Sequence, residues 1–271
     1  MRKIGVHIRL SNSLEEAAQR AIRLQIPIFQ CFFIEQLTNQ FISLTDEEIK
    51  NFVQNWQNKF ENLYLHGSYW LNLAGMSPSN YLIKREFELA RRLSFSHIII
   101  HPGSSKRGIS PEKAIRGLAR SLNSLLKYED QITIVLENAA HGGRAIGGDL
   151  HDFLALRQQL NHPEKVLFCI DTAHAFSYGY DIASSQGREE FFLLIEKTIG
   201  FANIALIHLN DTNQKCGSRI DKHEAIGNGL LSQALPLFLA HPLLKTVPVI
   251  LELPIMSEQE ERAILDLVEK W

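Results

Sequence analysis

VLFCIDTAH (166–174) joins an uninterrupted apolar run to an aspartate and, one helical turn later, to a histidine. Runs of this kind are typical of strands buried on both faces of a parallel sheet, because a half-solvated strand alternates apolar and polar residues. Asp171 closes the run, and a helix-start signal follows it. The segment therefore predicts a buried parallel strand with a potential metal ligand at its carboxyl end.

Seven other apolar runs precede or follow this strand. The eight predicted strands lie at 4–8, 28–33, 63–65, 97–100, 132–136, 166–170, 205–207 and 247–251. Stretches with apolar residues at helical spacing lie between them, as at 14–22, 87–93, 114–125 and 192–199. Strand followed by helix, eight times over in about 250 residues, predicts a single-domain α/β fold, a (β/α)8 TIM barrel that spans residues 1–271.

Six of the predicted strands are followed directly by a residue that can bind a metal. These residues are His66, His101, Glu137, Asp171, His208 and Glu252. The 11 histidines and 30 acidic residues make up under a sixth of the 271 residues, so six such endings in a row would rarely occur by chance. Catalytic groups of a TIM barrel lie at the carboxyl ends of its strands, so we expect the six to share one site. A single histidine there would more often be a hydrogen-bonded cap, but an array of unpaired imidazoles and carboxylates is costly to bury without a cation.

Three more candidate ligands, His174, Asp221 and His223, lie in the loops just after these strands. Five histidines and four carboxylates exceed the three or four protein ligands of one catalytic zinc ion. Because carboxylates can bridge ions, the set suits two or three ions, and a His/carboxylate set without thiolate favours Zn, Mn or Fe over Mg or Ca. Several ions a few ångströms apart are a standard device for phosphate-ester cleavage, which the set therefore indicates.

Composition and charge limit the classes of protein. A net charge of −2 and a pI near 6.6 argue against non-specific polyanion binding over the whole surface, although bound metals and cations at the barrel mouth could attract phosphate locally. The start MRKIGVHIRL lacks a secretory signal pattern and no run approaches a membrane span, so we expect a cytoplasmic protein without membrane contact. Cys31, Cys169 and Cys216 are expected to be reduced thiols, and Cys169 is not expected to be a ligand.

Seven segments carry the nine candidate ligands in a fixed order along the chain. They are LHGSYWLNLA (65–74), IIIHPGSS (98–105), VLENAAHGG (135–143), CIDTAHAFSYGYD (169–181), IHLNDT (207–212), GSRIDKHEAIGNG (217–229) and ILELP (250–254). This set resembles endonuclease IV, the apurinic/apyrimidinic (AP) endonuclease family 2 or deoxyribonuclease IV, whose members hold a trinuclear zinc site. The resemblance covers nearly the whole chain, and none of the nine positions is substituted.

The resemblance implies a ligand set for each of three ions. The sets are His66, His101 and Glu137 for the first ion, Glu137, Asp171, His208 and Glu252 for the second, and His174, Asp221 and His223 for the third. It implies three Zn²⁺ per chain, with Mn²⁺ or Fe²⁺ as alternatives at one or more sites, and it makes Glu137, Asp171 and Glu252 the candidate catalytic residues.

The resemblance also implies a reaction. The protein would act as a monomer on double-stranded DNA in base excision repair and hydrolyse the phosphodiester 5′ to an abasic site, leaving a 3′-hydroxyl and a 5′-deoxyribose phosphate. The abasic nucleotide would be flipped out of the stack. A missing base removes stacking and pairing, so extrusion costs less there than at an intact pair.

Four loop residues at the predicted mouth, Tyr69, Trp70, Arg219 and Lys222, are candidate DNA contacts. The positions that match Tyr69 and Trp70 in the family enter the DNA stack, whereas two loop aromatics considered without the family would more often be packing residues. Three polar neighbours of the ligands, Asn138, Asn210 and Asp211, either hold imidazoles and carboxylates in place or form turns after the strands.

Two loops depart from the family pattern. The family has a Lys-Asn-x-Arg-Gln-Trp-like stretch after its second strand, and residues 33–39 (FIEQLTN) lack both the Arg and the Trp. Residues 139–148 (AAHGGRAIGG) replace a Gly-Gln-Gly-like turn. We therefore expect fewer phosphate contacts than in a standard member.

Two alternative functions stay open. A single-metal sugar isomerase or epimerase of the xylose-isomerase-like barrels would use a Glu, Asp, His, Glu set on strands 5 to 8, which Glu137, Asp171, His208 and Glu252 match. Such an enzyme has no use for the other five candidate ligands. The second alternative is a non-catalytic DNA-damage binder, and nine intact ligand positions oppose it.

Overall fold

Within the described residues (2–10, 13–35, 37–38, 40–75, 80–127 and 131–271), a computed structural model shows eight parallel strands closed into a barrel. In chain order the strands are β1 (Ile4–His7), β2 (Ile28–Cys31), β3 (Ile34–Glu35), β4 (Gln40–Phe41), β5 (Asn62–His66), β6 (His97–Ile100), β7 (Thr133–Glu137), β8 (Val166–Asp171), β9 (Ile204–His208) and β10 (Val249–Leu251). The strands β3 and β4 form a separate antiparallel hairpin, and β1 pairs with β10 to close the barrel. The predicted TIM barrel is confirmed.

The strand ends differ slightly from the predicted runs. The candidate ligands on β5, β7, β8 and β9 are the last residues of their strands, whereas His101 and Glu252 directly follow β6 and β10. The predicted second strand was too long, since β2 ends at Cys31 and the hairpin begins at Ile34. The apolar run continues through Phe33 because Phe33 packs into the core from the loop.

The helices lie between the barrel strands and pack their apolar sides on the barrel. Those of the described residues are α1 (Leu14–Arg23), α2 (Asp46–Trp56), α3 (Asn80–Arg92), α4 (Pro111–Leu125), α5 (His151–Arg157), α6 (Thr172–Tyr178), α7 (Ser185–Thr198), α8 (Leu235–Leu239) and α9 (Glu258–Val268). Side-chain caps fix several starts, as where Thr45 and Glu48 form a capping box at α2. The predicted helical spacing is confirmed in α1, α3, α4 and α7. No helix in the described ranges is both long and apolar enough to span a membrane.

The barrel interior is layered. One layer is an apolar cluster that consists of Ile28, Tyr64, Ile99, Val135, Cys169, Leu206 and Ile250. Because side chains alternate along a strand, the residues two positions further on point into the barrel as well. These residues, together with His7 on β1, form what we call the polar ring, with the members His7, Gln30, His66, His101, Glu137, Asp171, His208 and Glu252. Cys169 therefore lies one layer below the ring.

Candidate metal centre

Glu137 occupies the centre of the cluster and is fully buried. Its Oε1 lies 2.9 Å from His208 Nδ1 and 3.3 Å from His174 Nδ1. Its Oε2 lies 3.3 Å from His66 Nε2 and 3.4 Å from His101 Nε2. One carboxylate thus faces four imidazoles from four separate parts of the chain, as a carboxylate that bridges two ions would.

The loop ligands join the strand ligands. Asp221 Oδ1 lies 3.1 Å from His174 Nε2 and 3.4 Å from His223 Nε2. His223 Nε2 is 3.6 Å from Asp171 Oδ2, and His223 Nδ1 is 3.7 Å from Glu252 Oε2. The structure therefore brings all nine predicted ligands into one connected cluster at the carboxyl end of the barrel.

Four groups within the cluster have potential ligand atoms within 4.8 Å of one another. The groups are His66, His101 and Glu137; Glu137, Asp171, His208 and Glu252; Asp171, His174 and His223; and His66, His208 and Glu252. The first two groups coincide with the ligand sets that the family resemblance implies for the first and second ions. The third group shares His174 and His223 with the implied third set, and Asp221 contacts both of these histidines.

The hydrogen bonds of the imidazoles fit a bound metal. His66 Nδ1 donates to Gly67 O and His174 Nδ1 donates to Asn138 O, both at 2.9 Å, and each Nε2 faces a carboxylate of the cluster. Within the described part of the chain, His174 Nε2, His223 Nε2 and Glu137 Oε2 are buried without a hydrogen-bond partner. Buried polar atoms without a hydrogen-bond partner are costly unless a cation lies among them, so the residues fit divalent ions.

Charge at the site follows from burial and from the close contacts. Burial acts to raise the pKa of the Glu137 carboxyl, but the neighbouring histidines outweigh it and the pKa lies well below its usual range. The pKa of Glu252 is likewise well below its usual range, because nearby imidazoles outweigh burial. Burial lowers the pKa of His101 to about 4, so its ring is neutral near neutral pH. Burial acts to lower the pKa values of His174 and His208, but the anionic groups around them outweigh it and both pKa values lie well above their usual range, so positive charge balances the buried carboxylates.

Polar neighbours orient the ligands. Asn210 Nδ2 donates to Asp171 Oδ2 at 2.6 Å and to Glu252 Oε2 at 3.1 Å. Asn138 Oδ1 accepts from the Asp171 backbone N–H at 2.7 Å. Asp171 also caps α6, since its Oδ1 accepts from His174 N at 2.7 Å and so sets His174 one turn after the strand. The orienting role expected for Asn138 and Asn210 agrees with these contacts.

Asp211 acts on a loop instead of on a ligand. Its buried carboxylate accepts hydrogen bonds from the backbone of Gly227, Gly229 and Leu231 and from the Ser232 hydroxyl, at 2.7 to 3.2 Å. This places Asp211 in the turn-forming role that was the alternative expectation. The bonds close the long loop between β9 and α8, which carries Asp221 and His223.

The predicted DNA contacts lie on the rim of the site. Tyr69 and Trp70 are 58% and 55% exposed, and the Tyr69 ring is 5.7 Å from the His101 ring. Arg219 and Lys222 are exposed on the β9–α8 loop, and the Arg219 guanidinium stacks on Tyr178 at 3.6 Å. Their contact with DNA stays a prediction.

A cavity of about 780 Å³ opens beside the cluster. Its walls include Arg9, Phe32, Leu37, Tyr69 and Lys222. The segment 33–39 contains β3 and borders the cavity with Ile34, Glu35 and Leu37, whereas positions 36 and 39 lie outside the described residues. The segment 139–148 folds back on the loop after β6, where Ser105 N donates to Arg144 O at 2.8 Å. The effect of both departures on phosphate contacts stays a prediction.

Two members of the polar ring, His7 and Gln30, were missed by the sequence analysis. Gln30 Nε2 donates to Glu252 Oε1 at 2.8 Å and lies 2.9 Å from His7 Nδ1, and Gln30 Oε1 lies 2.9 Å from His208 Nε2. Both residues stand inside apolar runs, so they did not look like strand ends. The signal that could have found Gln30 is position, since it lies two residues after the inward-facing Ile28. His7 lies two residues after Gly5, which has no side chain to mark the inward face.

Fold and site together define a (β/α)8 barrel with a His/carboxylate cluster at the carboxyl ends of its strands. The chain belongs to the xylose isomerase-like TIM barrel family, whose model matches residues 14–270. It is 30% identical to the probable endonuclease 4 of Thermotoga maritima over 283 aligned positions, which cover 100% of this chain and 98% of the relative.

Two further matches agree. Probable endonuclease 4 of Chlorobium limicola is 29% identical over 263 positions, covering 94% of this chain and 91% of the relative. The crystal structure of endonuclease IV from Thermus thermophilus superposes with a TM-score of 0.85 at 24% identity, covering 99% of this chain and 98% of that one. The resemblance to endonuclease IV expected from the seven segments is confirmed.

Proposed function

We propose that this protein is an AP endonuclease of DNA base excision repair. It hydrolyses the phosphodiester 5′ to an abasic site in double-stranded DNA and leaves a 3′-hydroxyl and a 5′-deoxyribose phosphate. The whole of residues 1–271 acts as one domain, as a monomer in the cytoplasm. The observation that carries the proposal is the nine-residue cluster around Glu137, and the relatives named probable endonuclease 4 support it.

We propose that the cluster holds three Zn²⁺ in the sets implied by the family, with Mn²⁺ or Fe²⁺ as alternatives. When bound, such ions activate water and neutralise charge on a phosphoryl group. Glu137 belongs to two of the sets and holds them at a fixed spacing, because its two oxygens face different histidines. Asp171 and Glu252 complete the second set, and Asn210 orients both carboxylates.

The rim residues position the DNA. Tyr69 and Trp70 present exposed rings beside the cluster, where they can fill the gap that a flipped-out abasic nucleotide leaves in the stack. Arg219 and Lys222 lie near Asp221 on the β9–α8 loop, within reach of the phosphates of a strand that enters the site. Stacking on Tyr178 orders the Arg219 side chain before DNA arrives.

The test is a nicking assay with a duplex that contains one synthetic abasic residue. The zinc-loaded protein should cut once, directly 5′ to that residue, and a DNA polymerase should extend the new end without further processing. The same duplex with an intact base is the substrate control, and chelator-treated protein is the metal control. A fully zinc-loaded protein that leaves the abasic duplex uncut would refute the proposal.

A single-metal sugar isomerase is the second candidate, because Glu137, Asp171, His208 and Glu252 form a compact group by themselves. It would leave the abasic duplex both unbound and uncut. A non-catalytic binder would retard the abasic duplex in a gel without cutting it. The assay therefore separates the three functions.

A further inference from the structure

We propose that Gln30 is a positioning residue that sets the metal-facing atoms of His208 and Glu252. This inference rests on the proposed function, in that the cluster binds metal ions. Gln30 is fully buried in the polar ring, and its amide reaches three other ring members. A single side chain thus connects the three neighbouring strands β1, β10 and β9 from its own place on β2.

The orientation of the amide follows from the partner that can only accept. The Glu252 carboxylate accepts hydrogen bonds, so the Gln30 NH₂ group must face Glu252 Oε1 at 2.8 Å. Its second hydrogen is directed at His7 Nδ1 at 2.9 Å. The amide oxygen therefore faces His208 Nε2 at 2.9 Å.

This orientation of the amide also fixes the orientation of the His208 ring. An amide oxygen cannot donate, so His208 Nε2 must carry the hydrogen and donate it to Gln30. Nδ1 is then the nitrogen that faces the second ligand set, at 2.9 Å from Glu137 Oε1 and 3.7 Å from Glu252 Oε2. Gln30 thereby fixes the rotation of the His208 ring, which turns Nδ1 toward that set.

Gln30 also fixes the Glu252 carboxylate. Oε1 is engaged by Gln30, whereas Oε2 accepts from Asn210 Nδ2 at 3.1 Å and faces His208 and His223. The amide groups of Gln30 and Asn210 each donate to a different oxygen of the Glu252 carboxylate, and together they fix its plane. Oε1 also lies 3.5 Å from His7 Nδ1, which is outside the nine-residue cluster, so Oε2 is the oxygen that would bind an ion of the second set.

Two near-isosteric substitutions test the proposal. Gln30→Met removes both donor and acceptor at similar length, and Gln30→Glu replaces the donor that faces Glu252 with a second carboxylate. Gln186→Met, on the exposed surface of α7, is the matched control. Each metal-free protein is reloaded with zinc alone and then exposed to increasing concentrations of a chelator. The readout is the number of zinc ions retained per chain, which requires no nuclease activity.

Removal of a group that orients a metal ligand costs about 10–100-fold in metal affinity. We expect a loss of that size for one zinc ion in Gln30→Met and in Gln30→Glu, with wild-type retention in Gln186→Met. A ¹⁵N spectrum of the histidine rings of metal-free protein gives a second readout: the resonance of His208 Nε2, which donates to Gln30 in wild type, should shift in Gln30→Met and should not shift in Gln186→Met. A general loss of packing would shift the ring nitrogens of the other buried histidines as well.

The outcomes separate this inference from the proposed function. Wild-type zinc retention with an unchanged His208 ring spectrum in Gln30→Met would overturn the positioning role and leave the proposed function intact. If Gln30→Met does not fold, Gln30→Glu is decisive, because its volume is that of the native side chain, and wild-type retention in that variant would overturn the positioning role. A wild-type protein that takes up no zinc would overturn both proposals.

Discussion

At the scale of single residues, the environment of Glu137 predicts how its substitution acts. In Glu137→Gln the shape is kept, but the negative charge that joins two ligand sets is removed. Turnover on abasic DNA should fall by more than about tenfold while binding of the same DNA changes far less, because phosphate attraction by the remaining cluster persists. Single-turnover nicking and equilibrium binding measure the two effects. Cleavage within about tenfold of wild type would show that the bridging role is wrong.

Glu86 on α3 makes the stability of the protein depend on pH. Its carboxyl is fully buried and accepts from Ser68 N at 2.9 Å, and burial raises its pKa from 4.5 to about 8. A raised carboxyl pKa means that the folded state keeps a proton that the unfolded state releases, so stability is undiminished below pH 4.5 and is lost as pH rises toward 8.

Glu86→Gln removes this loss of stability at higher pH, since the amide is neutral at every pH and its oxygen can still accept from Ser68 N. We expect the variant to raise Tm more at the alkaline end of that pH range than at the acid end, as measured by thermal unfolding of metal-free protein. Glu88→Gln, on the same helix, is the control. An equal change in Tm at both pH values would contradict the buried, protonated state of Glu86.

The sequence predicted some ring residues and not others for a physical reason. His66, Glu137 and Asp171 interrupt apolar runs where the chain turns, so their chemistry stands out. His7 and Gln30 are followed by further apolar residues, because Ile8 and Phe33 pack into the core after their strands have ended. A polar residue inside an apolar run is recognised as part of a site only once the inward face of the strand is known.

At the scale of elements, the loop after β5 makes its own prediction. Tyr69→Ala and Trp70→Ala should each weaken binding to abasic duplex by about tenfold or more, since base–aromatic stacking contributes roughly 1–3 kcal/mol per base. The zinc content should not change, because neither ring is a ligand. Tyr81→Ala, an exposed aromatic on α3, is the matched control. Unchanged affinity for DNA would mean that the two rings are packing residues.

Elements with strong periodicity were predictable, and the hairpin was not. Continuous apolar runs predicted the barrel strands because both of their faces are buried, and the 3.6-residue spacing predicted the helices that cover them. The hairpin strands β3 and β4 have two residues each, too few for any pattern to emerge. The conformation of the β9–α8 loop was equally unpredictable, since it is held by hydrogen bonds to the carboxylate of Asp211 and not by a periodic sequence pattern.

At the scale of the whole molecule, the departure of residues 33–39 from the family pattern predicts a lower affinity for DNA. We expect a family member with the full Lys-Asn-x-Arg-Gln-Trp-like motif to make more phosphate contacts, and each such contact steepens the fall of log affinity with log salt by about 0.9. The salt dependence of this protein should therefore be shallower. Single-turnover cleavage at saturating DNA should stay intact because the cluster is complete. Affinity is to be measured over a salt series for both proteins.

Compensation would come from other cations on the rim. Lys106, Arg107 and Arg144 are exposed on loops at the carboxyl face, together with Arg219 and Lys222. A salt dependence as steep as that of the protein with the full motif would show that these side chains replace the missing phosphate contacts, and the expectation of a lower affinity would be wrong.

The number of metal ions per chain tests the central claim most directly. The nine convergent candidate ligands with a shared Glu137 are more than one ion takes, whereas a single-metal barrel would use only four of them. Elemental analysis of purified protein supplied with zinc should give close to three ions per chain, most of them zinc. One tightly held ion, with no further uptake when zinc is added, would contradict the trinuclear centre and favour the sugar isomerase.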